Sequence, residues 1–570
     1  MFIDSRELSS ETTYESDVCI IGAGPAGLTI AKELVGKSIE VCILESGGLT
    51  PEPEIQALNR SMESIGDQIP PCPNFPPAET MRTRQFGGTA HQWVDRSTGK
   101  KIIRYVPLEE VDFEERDWLP HSGWPITKKE LDPYYERAHA ACGLGVYSYE
   151  PETWSSQVSP QIAFDKNFIV NRMFHFGTGD IFTQNYRELI QSAPNVNTFL
   201  YASVYELVAD ETGKRITKAR FINPSRKHFW VSAKQFILAT GGLENARILL
   251  MSNQVQKAGL GNDNNLVGRF LMDHPLVRVG VIQPTSRDVF NPFRLYGIQK
   301  IGQDEVQAKP ILSKELIKRE GLLNANFFLL PRHYLTQFNL LRYLFPEGKS
   351  YVSKSVSSAM ALSRKLRAGN LDSDAIKHLA NVLLGLDDVL FFQTRKSVNI
   401  GRELEAFWPQ NSGSEKAFNV IQVYSSTEQA PRPENRVLLG EEKDRFGYPK
   451  IQINWHWDEF SRSSFVKAAT LFKKQIELVG LGKLNLEFDK GDPQLVTPSI
   501  HHNMGTTRMH DNPKQGVVDA NCKVHGIANL FIAGSSTFPT GGYANPTLTI
   551  VALAIRLADH VKGLHKLQGF

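Results

Sequence analysis

The chain has 570 residues, of which 41% are hydrophobic and 22% charged, and its formal net charge is +3. A chain of this length predicts two joined domains, because a single hydrophobic core stops growing well below it. The balanced charge argues against a nucleic-acid-binding or polybasic membrane-binding protein. No uninterrupted apolar run approaches the about 18 residues that a membrane span needs.

The amino terminus and the cysteines bear on the compartment. The first 17 residues lack a basic start, an apolar core and a twin arginine, so they do not resemble a secretion signal. The cysteines (Cys19, Cys42, Cys72, Cys142 and Cys522) lack the spacing of a metal site or a disulfide framework. We therefore expect a cytoplasmic protein without a metal site.

The first recognisable unit is strand, tight turn, helix and strand. Val18–Ile21 is a short apolar run typical of a buried parallel strand, and Leu28–Leu34 has helical spacing. Val41–Leu44 is a second apolar strand that ends at Glu45. These segments predict a βαβ unit of about thirty residues.

The turn of this unit is glycine-rich. Gly22 and Gly24 permit a tight turn and a close approach of backbone to a pyrophosphate, and Gly27 lets the helix pack on the strand. The amino end of the helix offers free N–H groups to phosphates. Glu45 lies 21 residues after Gly24, where an acid accepts hydrogen bonds from a ribose. The unit therefore predicts a dinucleotide site, FAD or NAD.

The middle of the chain changes character several times. Residues 49–81 are proline-rich and irregular, and residues 195–236 contain alternating segments that predict a small antiparallel meander. Amphipathic helices are predicted over 331–345 and 373–392, as an inserted helical subdomain or, alternatively, a membrane-surface or subunit-docking patch. Residues 436–439 and 450–455 have the pattern of hairpin strands that roof a pocket.

Three further segments favour FAD over NAD. Ala239–Gly242 ends a second apolar strand, and the strand Asn529–Ala533 runs into small residues at Gly534 and Ser535. Arg84–Ala90 supplies flexible, glycine-containing backbone suited to a flavin and its diphosphate. Each segment alone is an ordinary corner between a strand and a loop. Together with the first glycine turn they indicate FAD.

Near the carboxyl end, the sequence HHNMGTTRM at 501–509 is followed further along the chain by a second polar motif, Asn545-Pro546-Thr547. A histidine in a glycine-rich loop is usually structural, Asn-Pro is an ordinary turn signal, and a histidine pair also occurs in metal sites. No cysteine or carboxylate cluster surrounds the pair in the sequence, which argues against a metal. The block is therefore a candidate for one half of an active site.

With these motifs the chain resembles the glucose–methanol–choline (GMC) family of FAD-dependent alcohol oxidoreductases over nearly its whole length. The segments IGAGPAGLTIAKEL, LESGG, RQFGGTAHQW, ILATGGLENARILL, LVGRFLMDHP and the stretch from HHNMGTTRM to ANPTLTI carry the resemblance. Within the family it is most similar to the branch that contains pyranose oxidases, glycoside 3-oxidases and sugar or polyol dehydrogenases. Residues 112–135 also resemble that branch.

The resemblance implies an α/β fold. A Rossmann-like FAD-binding domain (residues 1–110, 165–278 and 490–570) is interleaved with an α+β substrate-binding domain (111–164 and 279–489). The second domain contains an antiparallel sheet and a helical insertion at about 329–394. A homo-oligomer is compatible with the sequence.

The resemblance also implies the cofactor contacts. They are Gly22, Gly24, Pro25, Ala26, Gly27, Glu45, Ser46, Arg84, Gly87, Gly88, Thr89, His91, Gln92, Trp93, Val204, Ala239, Thr240, Gly241, Asn245, Gly534, Ser535, Asn545, Pro546 and Thr547. In pyranose oxidases a histidine directly before the motif tryptophan tethers the flavin. Here Gln92 occupies that position and His91 lies one residue earlier. We therefore expect non-covalent FAD, with a tether at His91 as the alternative.

The family's base is the histidine of an H-x-x-G-T pattern, which is His502 here, and its partner position is Asn545. Imidazole accepts a hydroxyl proton near neutral pH, while the carbinol hydride passes to flavin N5 and the amide holds the substrate oxygen. His274 and His525 also stand in family-like contexts, and we expect packing roles for both. The substrate-binding candidates are Gln92, Gln422, Trp455, His502 and Asn545.

These residues predict oxidation of a secondary hydroxyl of a sugar or glycoside to a ketone, with oxygen or a quinone-type compound as the electron acceptor. Two alternatives stay open. One is a membrane-associated sugar or polyol dehydrogenase subunit that delivers electrons to a quinone or cytochrome partner. The other is a non-redox flavoprotein of the same fold. Bleaching of the bound flavin by a sugar would exclude this second alternative. The motifs do not distinguish an oxidase from a dehydrogenase.

Overall fold

The computed structural model describes residues 1–9, 11–62, 75–93, 102–154, 160–290, 294–332, 358–359, 362, 365–366, 373–384, 420–488, 493, 495–497 and 499–567. Two large sheets and the helices around them account for most of these residues. A continuous hydrophobic core runs through both sheets and joins them.

The first sheet is built around parallel strands. Its members are β1 (Phe2–Asp4), β2 (Thr13–Ile21), β3 (Val41–Leu44), β6 (Val196–Leu200), β7 (Ser203–Ala209), β8 (Ile216–Ile222), β9 (His228–Leu238) and β19 (Leu530–Ile532). The order is β1-β6-β3-β2-β9-β8-β7, with β19 on β9. All four residues of β3 are buried, as expected of a strand with helices on both faces. Because β19 pairs with β9 in parallel, the carboxyl end of the chain returns to the first glycine turn.

The second sheet is antiparallel. Its members are β4 (Ile102–Tyr105), β5 (Ile169–Thr178), β10 (Leu276–Pro284), β11 (Gln299–Ile301), β12 (Asp304–Leu312), β13 (Ala325–Arg332), β14 (Val420–Thr427), β17 (Gly482–Leu486) and β18 (Leu495–Thr497). The order is β17-β10-β14-β13-β12-β5-β4, and β11 and β18 extend it. A separate hairpin joins β15 (Arg436–Lys443) to β16 (Pro449–Asn454).

The helices cover both sheets. They are α1 (Pro25–Leu34), α2 (Pro53–Gln56), α3 (Ala78–Met81), α4 (Glu110–Phe113), α5 (Lys128–Ala141), α6 (Tyr186–Ser192), α7 (Gly241–Met251), α8 (Lys314–Glu320), α9 (Ser373–Leu384), α10 (Glu459–Leu478) and α11 (Thr547–Leu567). Helix α10 packs on one face of the second sheet, where Phe327 and Phe472 stack with ring centroids 3.9 Å apart. Within the described ranges, no helix is long and apolar enough to span a bilayer.

The predicted α/β fold with parallel and antiparallel sheets is confirmed, together with the βαβ unit, the meander of β7, β8 and β9 and the hairpin of β15 and β16. The helix predicted from Pro331 is wrong at its start, because Pro331 and Arg332 close β13 and pair with β14. The insertion predicted from 329 is wrong at its start for the same reason. Helix α9 occupies 373–384 of the predicted 373–392, and the rest of the predicted insertion lies largely outside the described residues.

Sheet membership differs from the predicted division of the chain at several strands. Strands β4 and β5 fall within segments predicted for the FAD-binding domain, yet both belong to the antiparallel sheet. The physical reason is an unbroken ladder, since β5 pairs with β12 over eight residues from Ile169 to Phe176. The boundaries at 110 and 165 do not follow the sheets.

Candidate active site

The first glycine turn joins β2 to α1. Gly22 has φ +104°, and a β-carbon there would lie 2.7 Å from the carbonyl oxygen of Ala239. At Gly27 a β-carbon would collide with the Gly22 carbonyl oxygen, so α1 rests directly on the turn. Pro25 is the first residue of α1, where a missing N–H costs nothing. Only glycine fits the turn at these two positions.

Other glycines at the same sheet edge leave open space. Gly24, Gly241 and Gly534 each have no heavy atom within 4 Å of an ideal β-carbon. They follow β2, β9 and β19, three neighbouring parallel strands. Ligands of open α/β sheets bind outside the carboxyl ends of the strands. The residues present therefore fit a dinucleotide, with α1 pointing its amino end toward the phosphates.

Glu45 closes one side of this space. Its carboxylate accepts hydrogen bonds from the backbone N–H groups of Ala23 (2.9 Å) and Gly47 (2.8 Å). Burial raises the pKa of Glu45, and the bonds from Ala23 and Gly47 oppose that shift. The Ser46 hydroxyl also donates to this carboxylate (3.3 Å), so three of its about four lone-pair sites are used and capacity for a ribose is left. The Ala202 N–H donates to the Glu45 carbonyl (2.8 Å), which brings the predicted contact Val204 close to this corner.

The loop at Gly87 and Gly88 faces the first turn. The Gly87 N–H donates to the Ala23 carbonyl (2.8 Å), and a β-carbon at Gly88 would lie 2.9 Å from Gly24 Cα. This contact explains why the two glycine-rich motifs, more than sixty positions apart, belong to one site.

Three predicted cofactor contacts from this loop have other engagements. His91 Nε2 bonds the Phe86 carbonyl oxygen (2.8 Å), which folds the ring back on its own loop. Gln92 is exposed and donates to the Thr83 hydroxyl (2.9 Å). Arg84 forms an ion pair with Glu244 (3.0 Å) and donates to the Asn59 side-chain oxygen (2.8 Å). The structure thus does not bring Gln92 to the site that the resemblance implies.

Asn245 holds two cofactor loops together. Its side-chain oxygen accepts from the Thr240 N–H (2.8 Å) and hydroxyl (2.7 Å). Its side-chain nitrogen donates to the Ala533 carbonyl (3.3 Å) and the Ser536 hydroxyl (2.9 Å). Four bonds use the whole capacity of an amide. Asn245 is therefore a positioning residue rather than the direct cofactor contact that we expected.

The carboxyl-terminal block brings His502 and Asn545 together. His502 Nε2 lies 3.3 Å from Asn545 Nδ2. Asn545 directly precedes Pro546 and α11, whose first turn is fixed when the Ile550 N–H donates to the Pro546 carbonyl (2.8 Å). Block 501–509 is held against the loop after β19, since the Ser535 hydroxyl donates to the Asn503 carbonyl (2.7 Å).

These contacts define which nitrogen of His502 is free to accept a proton. An amide NH₂ only donates, so Nε2 accepts from Asn545 and carries no proton. The other nitrogen, Nδ1, lies 2.9 Å from Nδ1 of His274 and therefore donates to it. Nε2 is then the basic atom, and it lies on the Asn545 side. The expected packing role for His274 is wrong, because His274 fixes the tautomer of His502.

Electrostatics also favour the basic form. Burial lowers the pKa of His502 well below its ordinary value, and the neighbouring groups His274, His501 and Arg104 lower it further. Burial lowers the pKa of His274 to about 4. Both imidazoles are therefore neutral at physiological pH, and His502 is ready to accept a proton.

Asp273 organises this pair and was missed in the sequence. Its carboxylate accepts five hydrogen bonds, from the N–H groups of His274, Ile500 and His502, the Ser499 hydroxyl and the Asn503 amide. Burial raises its pKa to about 6, and these bonds oppose the shift. Asp273 stands next to His274 in the motif LVGRFLMDHP. This position in the sequence does not reveal that Asp273 binds Ser499, 226 residues further along the chain. His525 bonds the His510 carbonyl (2.8 Å), away from this cluster.

The two predicted sugar contacts from the second half of the chain are engaged elsewhere. Trp455 is buried, and its indole N–H donates to Gln429 Oε1 (2.9 Å). Gln429 in turn accepts from the Asp273 N–H, so Trp455 supports the site from behind. The Gln422 side-chain oxygen accepts from the Tyr424 hydroxyl (3.0 Å) within the second sheet. In the described part of the chain, neither residue forms a hydrogen bond with His502 or Asn545.

Comparison with known proteins agrees with this geometry. A family profile described as GMC oxidoreductase matches residues 431–554. The 6‴-hydroxyparomomycin C oxidase of Streptomyces lividus is 30% identical over 602 aligned positions, which cover 96% of this chain and 92% of that protein. The chain belongs to the GMC oxidoreductase family. It is therefore an FAD-dependent alcohol oxidoreductase, as the resemblance implied.

Two more GMC proteins show how far the likeness extends. The fructose dehydrogenase large subunit of Gluconobacter japonicus is 25% identical over 97% of this chain and 98% of that protein. The solved structure of a fungal aryl-alcohol oxidase covers 97% of this chain and 99% of its own, at a TM-score of 0.52 and 16% identity. The second likeness concerns the fold alone.

Proposed function

We propose that the chain oxidises a secondary hydroxyl of a sugar or glycoside to a ketone, with His502 as the base. The observation that carries this proposal is the unprotonated Nε2 of His502, 3.3 Å from the amide of Asn545 and backed by His274. A general base must present its lone pair toward the proton that it removes. The arrangement of the two neighbours supports that role for Nε2.

His502 and Asn545 divide the work on the substrate hydroxyl. In the absence of substrate the Asn545 N–H occupies the Nε2 lone pair. A substrate hydroxyl that enters between the two donates its proton to Nε2 and accepts from the amide of Asn545 on its oxygen. The amide holds that oxygen without competing for the proton, because an amide nitrogen is not basic. Both residues are thus catalytic in the proposal.

The residues around the glycine turns would hold the cofactor. Gly24, Gly241 and Gly534 border the space, Glu45 lies beside the ribose position, and Gly88 closes over the first turn. When bound, FAD supplies the two-electron acceptor for the carbinol hydride. The chain orients the hydroxyl, removes its proton and excludes water from this space.

We propose that the FAD is not covalently attached. His91 Nε2 is engaged by the Phe86 carbonyl, which supports a structural role for this ring. Trichloroacetic acid should release all yellow colour into the supernatant of purified holoenzyme. Colour that stays with the precipitated protein, and disappears in His91→Ala, would instead establish a tether at His91.

The substrate class is supported by what the relatives are named for. Two full-length relatives are named for fructose and 6‴-hydroxyparomomycin C. Both compounds carry several hydroxyl groups, which agrees with the polar pair His502 and Asn545.

A second candidate differs in the electron acceptor. The full-length match to a protein named as the large subunit of fructose dehydrogenase favours a dehydrogenase that works with a partner subunit. In that case a quinone or cytochrome, rather than oxygen, would be the electron acceptor.

One titration separates these possibilities. Holoenzyme under argon is mixed with a panel of free sugars, methyl glycosides and polyols, and the flavin absorbance is followed near 450 nm. A substrate bleaches the flavin, and air is then admitted. Fast return of the absorbance indicates an oxidase, whereas slow return with fast oxidation by a soluble quinone indicates a dehydrogenase. If no hydroxyl compound of the panel bleaches the flavin, the proposed reaction is wrong.

A further inference from the structure

A lysine is buried at the centre of the second sheet. Lys309 lies on β12 and is 1% exposed. Its ammonium group is 3.9 Å from the ring centroid of Phe174 on β5 and 4.0 Å from that of Phe328 on β13. Ring faces attract cations, but they do not replace the hydrogen bonds that an ammonium group loses on leaving water.

No acid compensates this lysine among the described residues. Two other cations of the same sheet face are paired, Arg172 with Glu109 (2.8 Å) and Arg278 with Glu487 (2.7 Å). Lys309 forms no ion pair and no side-chain hydrogen bond in the described part of the chain. Burial lowers its pKa well below the ordinary value, and the charge of Arg104 on β4 adds to that effect. Such a group costs stability, which favours a functional reason for keeping it.

Two more buried polar groups on this face also lack partners. Asn326 on β13 and Ser426 on β14 are each 2% exposed and stand opposite each other in the ladder. Within the described residues, Asn326 Oδ1 and the Ser426 hydroxyl have no hydrogen-bond partner. Ile311, two residues after Lys309, pairs with Asn326, so the lysine is a diagonal neighbour of this pair. We call Lys309, Asn326 and Ser426 the Lys309 patch.

The Lys309 patch adjoins the candidate active site. The Asn326 side-chain nitrogen donates to the Tyr543 carbonyl (3.4 Å), two residues before Asn545. The rings of Phe174 and Tyr543 lie 6.1 Å apart between centroids. The charge of Arg104 lowers the pKa of both Lys309 and His502, so one cation lies within range of both. The patch therefore faces the segment that presents Asn545.

We propose that the Lys309 patch is a substrate subsite for a sugar that carries a carboxylate group. The Lys309 ammonium pairs with the carboxylate, Asn326 Oδ1 accepts from a substrate hydroxyl, and the Ser426 hydroxyl bonds to another. This inference rests on the proposed function, because it assumes that a sugar hydroxyl reaches His502. It goes further by selecting acidic sugars over neutral ones.

The chemistry of the three groups supports this choice. A carboxylate restores to Lys309 the partner that the protein does not provide, and a charged hydrogen bond in a buried site is stronger than a neutral one. An acceptor and a hydroxyl next to it match the alternating donors and acceptors of a sugar. A purely structural role of Lys309 would not explain why Asn326 Oδ1 and the Ser426 hydroxyl lack partners among the described residues.

The test compares methyl β-D-glucuronide with methyl β-D-glucoside, which differ by one carboxylate in place of a hydroxymethyl group. Each is titrated into holoenzyme under argon, and both flavin bleaching and the perturbation of the oxidised flavin spectrum are recorded. The variants are Lys309→Met and, as matched control, Lys300→Met, an exposed lysine on the neighbouring β11. Methionine is an unbranched side chain one heavy atom shorter than lysine, and it removes the charge. Melting temperature is measured for each variant.

In wild type the glucuronide should half-saturate at a concentration about 10-fold lower than the glucoside, the size of one charged hydrogen bond. Lys309→Met should abolish this preference by raising the half-saturating concentration of the glucuronide, and it should melt no lower than wild type. Lys300→Met should retain the preference. Equal half-saturation by the two compounds in wild type, or a preference that survives Lys309→Met, overturns the proposal.

Failure of the proposed function gives a different pattern. If neither compound bleaches the flavin but the glucuronide perturbs its spectrum in a Lys309-dependent way, the subsite stands and the reaction is wrong. If both bleach the flavin equally well in wild type and in Lys309→Met, the reaction stands and the subsite is wrong. If Lys309→Met melts well below wild type, a structural role of the lysine between the rings of Phe174 and Phe328 explains its burial, and the proposal fails.

Discussion

His502 depends on neighbours that contact its ring and its backbone. Asn545 meets ring atom Nε2, His274 meets ring atom Nδ1, and the Asp273 carboxylate accepts from the backbone N–H of His502 (3.2 Å). The ring is thus fixed in position, in tautomer and in charge. A sequence presents the histidine and the asparagine, but only the fold shows that Asp273 and His274 belong to the same cluster.

Replacing His274 should reduce catalysis without removing the base. Leucine cannot accept the Nδ1–H of His502, so His274→Leu should lower kcat by about 10- to 100-fold, part of the general-base contribution. Asparagine offers an acceptor oxygen, and His274→Asn should recover much of that loss. Bound FAD, measured by absorbance, should be the same in wild type and both variants.

The pH profile distinguishes this positioning role from a packing defect. His502 must be neutral to act, so activity is complete above its lowered pKa and is lost as pH falls through it. His274 disfavours protonation of His502 in the acid range, where His274 itself becomes charged, so its removal should move the acid limb of kcat/KM to higher pH. A packing defect would lower activity at all pH values and leave the limb in place.

At the scale of elements, the glycine turns could be predicted in detail because the reason for each glycine is local. The turn after β2 needs positive φ at Gly22 and contact at Gly27, and the sequence pattern encodes both. Arg84 and Asn245 were predicted as cofactor contacts from the same motifs. Their side chains instead bind Glu244 and the Ser536 loop, and motif spacing carries no information about such partners.

Two glycines of the first turn should respond differently to alanine. Gly24 has ordinary φ and free space around a β-carbon, so Gly24→Ala should fold normally as apoprotein. The added methyl group would occupy the cofactor space, and overpacking of about 1–3 kcal/mol should weaken FAD binding roughly 5- to 150-fold. Gly27→Ala should fail to fold, because the methyl group meets the Gly22 carbonyl.

FAD binding by fluorescence quenching and apoprotein melting by circular dichroism measure the two effects. Gly563→Ala serves as the control, since that glycine lies in α11 with free space around it and alanine favours a helix. Unchanged FAD affinity in Gly24→Ala would show that the cofactor does not approach this turn.

Both sheets were predicted, but the strands that belong to each sheet were not. Alternation of apolar and polar residues reveals a strand but not the strands with which it pairs. Strands β4 and β5 lie next to segments of the first sheet in sequence and belong to the second in space. Trp455 and Gln422 failed as substrate contacts for a related reason. A strand pattern does not tell which face meets the site. The division into two domains therefore stays a prediction.

At the scale of the whole molecule, residues 109–126 fasten the carboxyl-terminal segment to the second sheet. The Trp124 indole N–H donates to the Thr540 hydroxyl (2.9 Å), and the Tyr543 hydroxyl donates to Glu109 (2.8 Å). Arg116 binds Glu428, just after β14, through two hydrogen bonds of 2.9 and 2.6 Å. This bridge holds the loop of Asn545 in its place over the sheet.

Breaking the Arg116–Glu428 pair should destabilise the whole protein. Both side chains are 0% exposed, and Arg116→Met leaves a buried carboxylate without its cation. The expected cost is about 3–5 kcal/mol. The exposed pair of Arg137 and Asp559 offers the control, since Arg137→Met should cost less than about 1 kcal/mol. Thermal melting at neutral pH measures the loss of stability in both variants. Equal melting temperatures of the two variants would contradict a stabilising role for the Arg116–Glu428 pair.

The central claim is that His502 removes the hydroxyl proton during alcohol oxidation. Its most direct test is the rate of flavin bleaching in a single anaerobic turnover, comparing wild type, His502→Ala and His525→Ala, each with a full complement of FAD. Loss of the base should slow bleaching by about 10²- to 10⁴-fold in His502→Ala, and His525→Ala should match wild type. Bleaching at the wild-type rate in His502→Ala would contradict the claim.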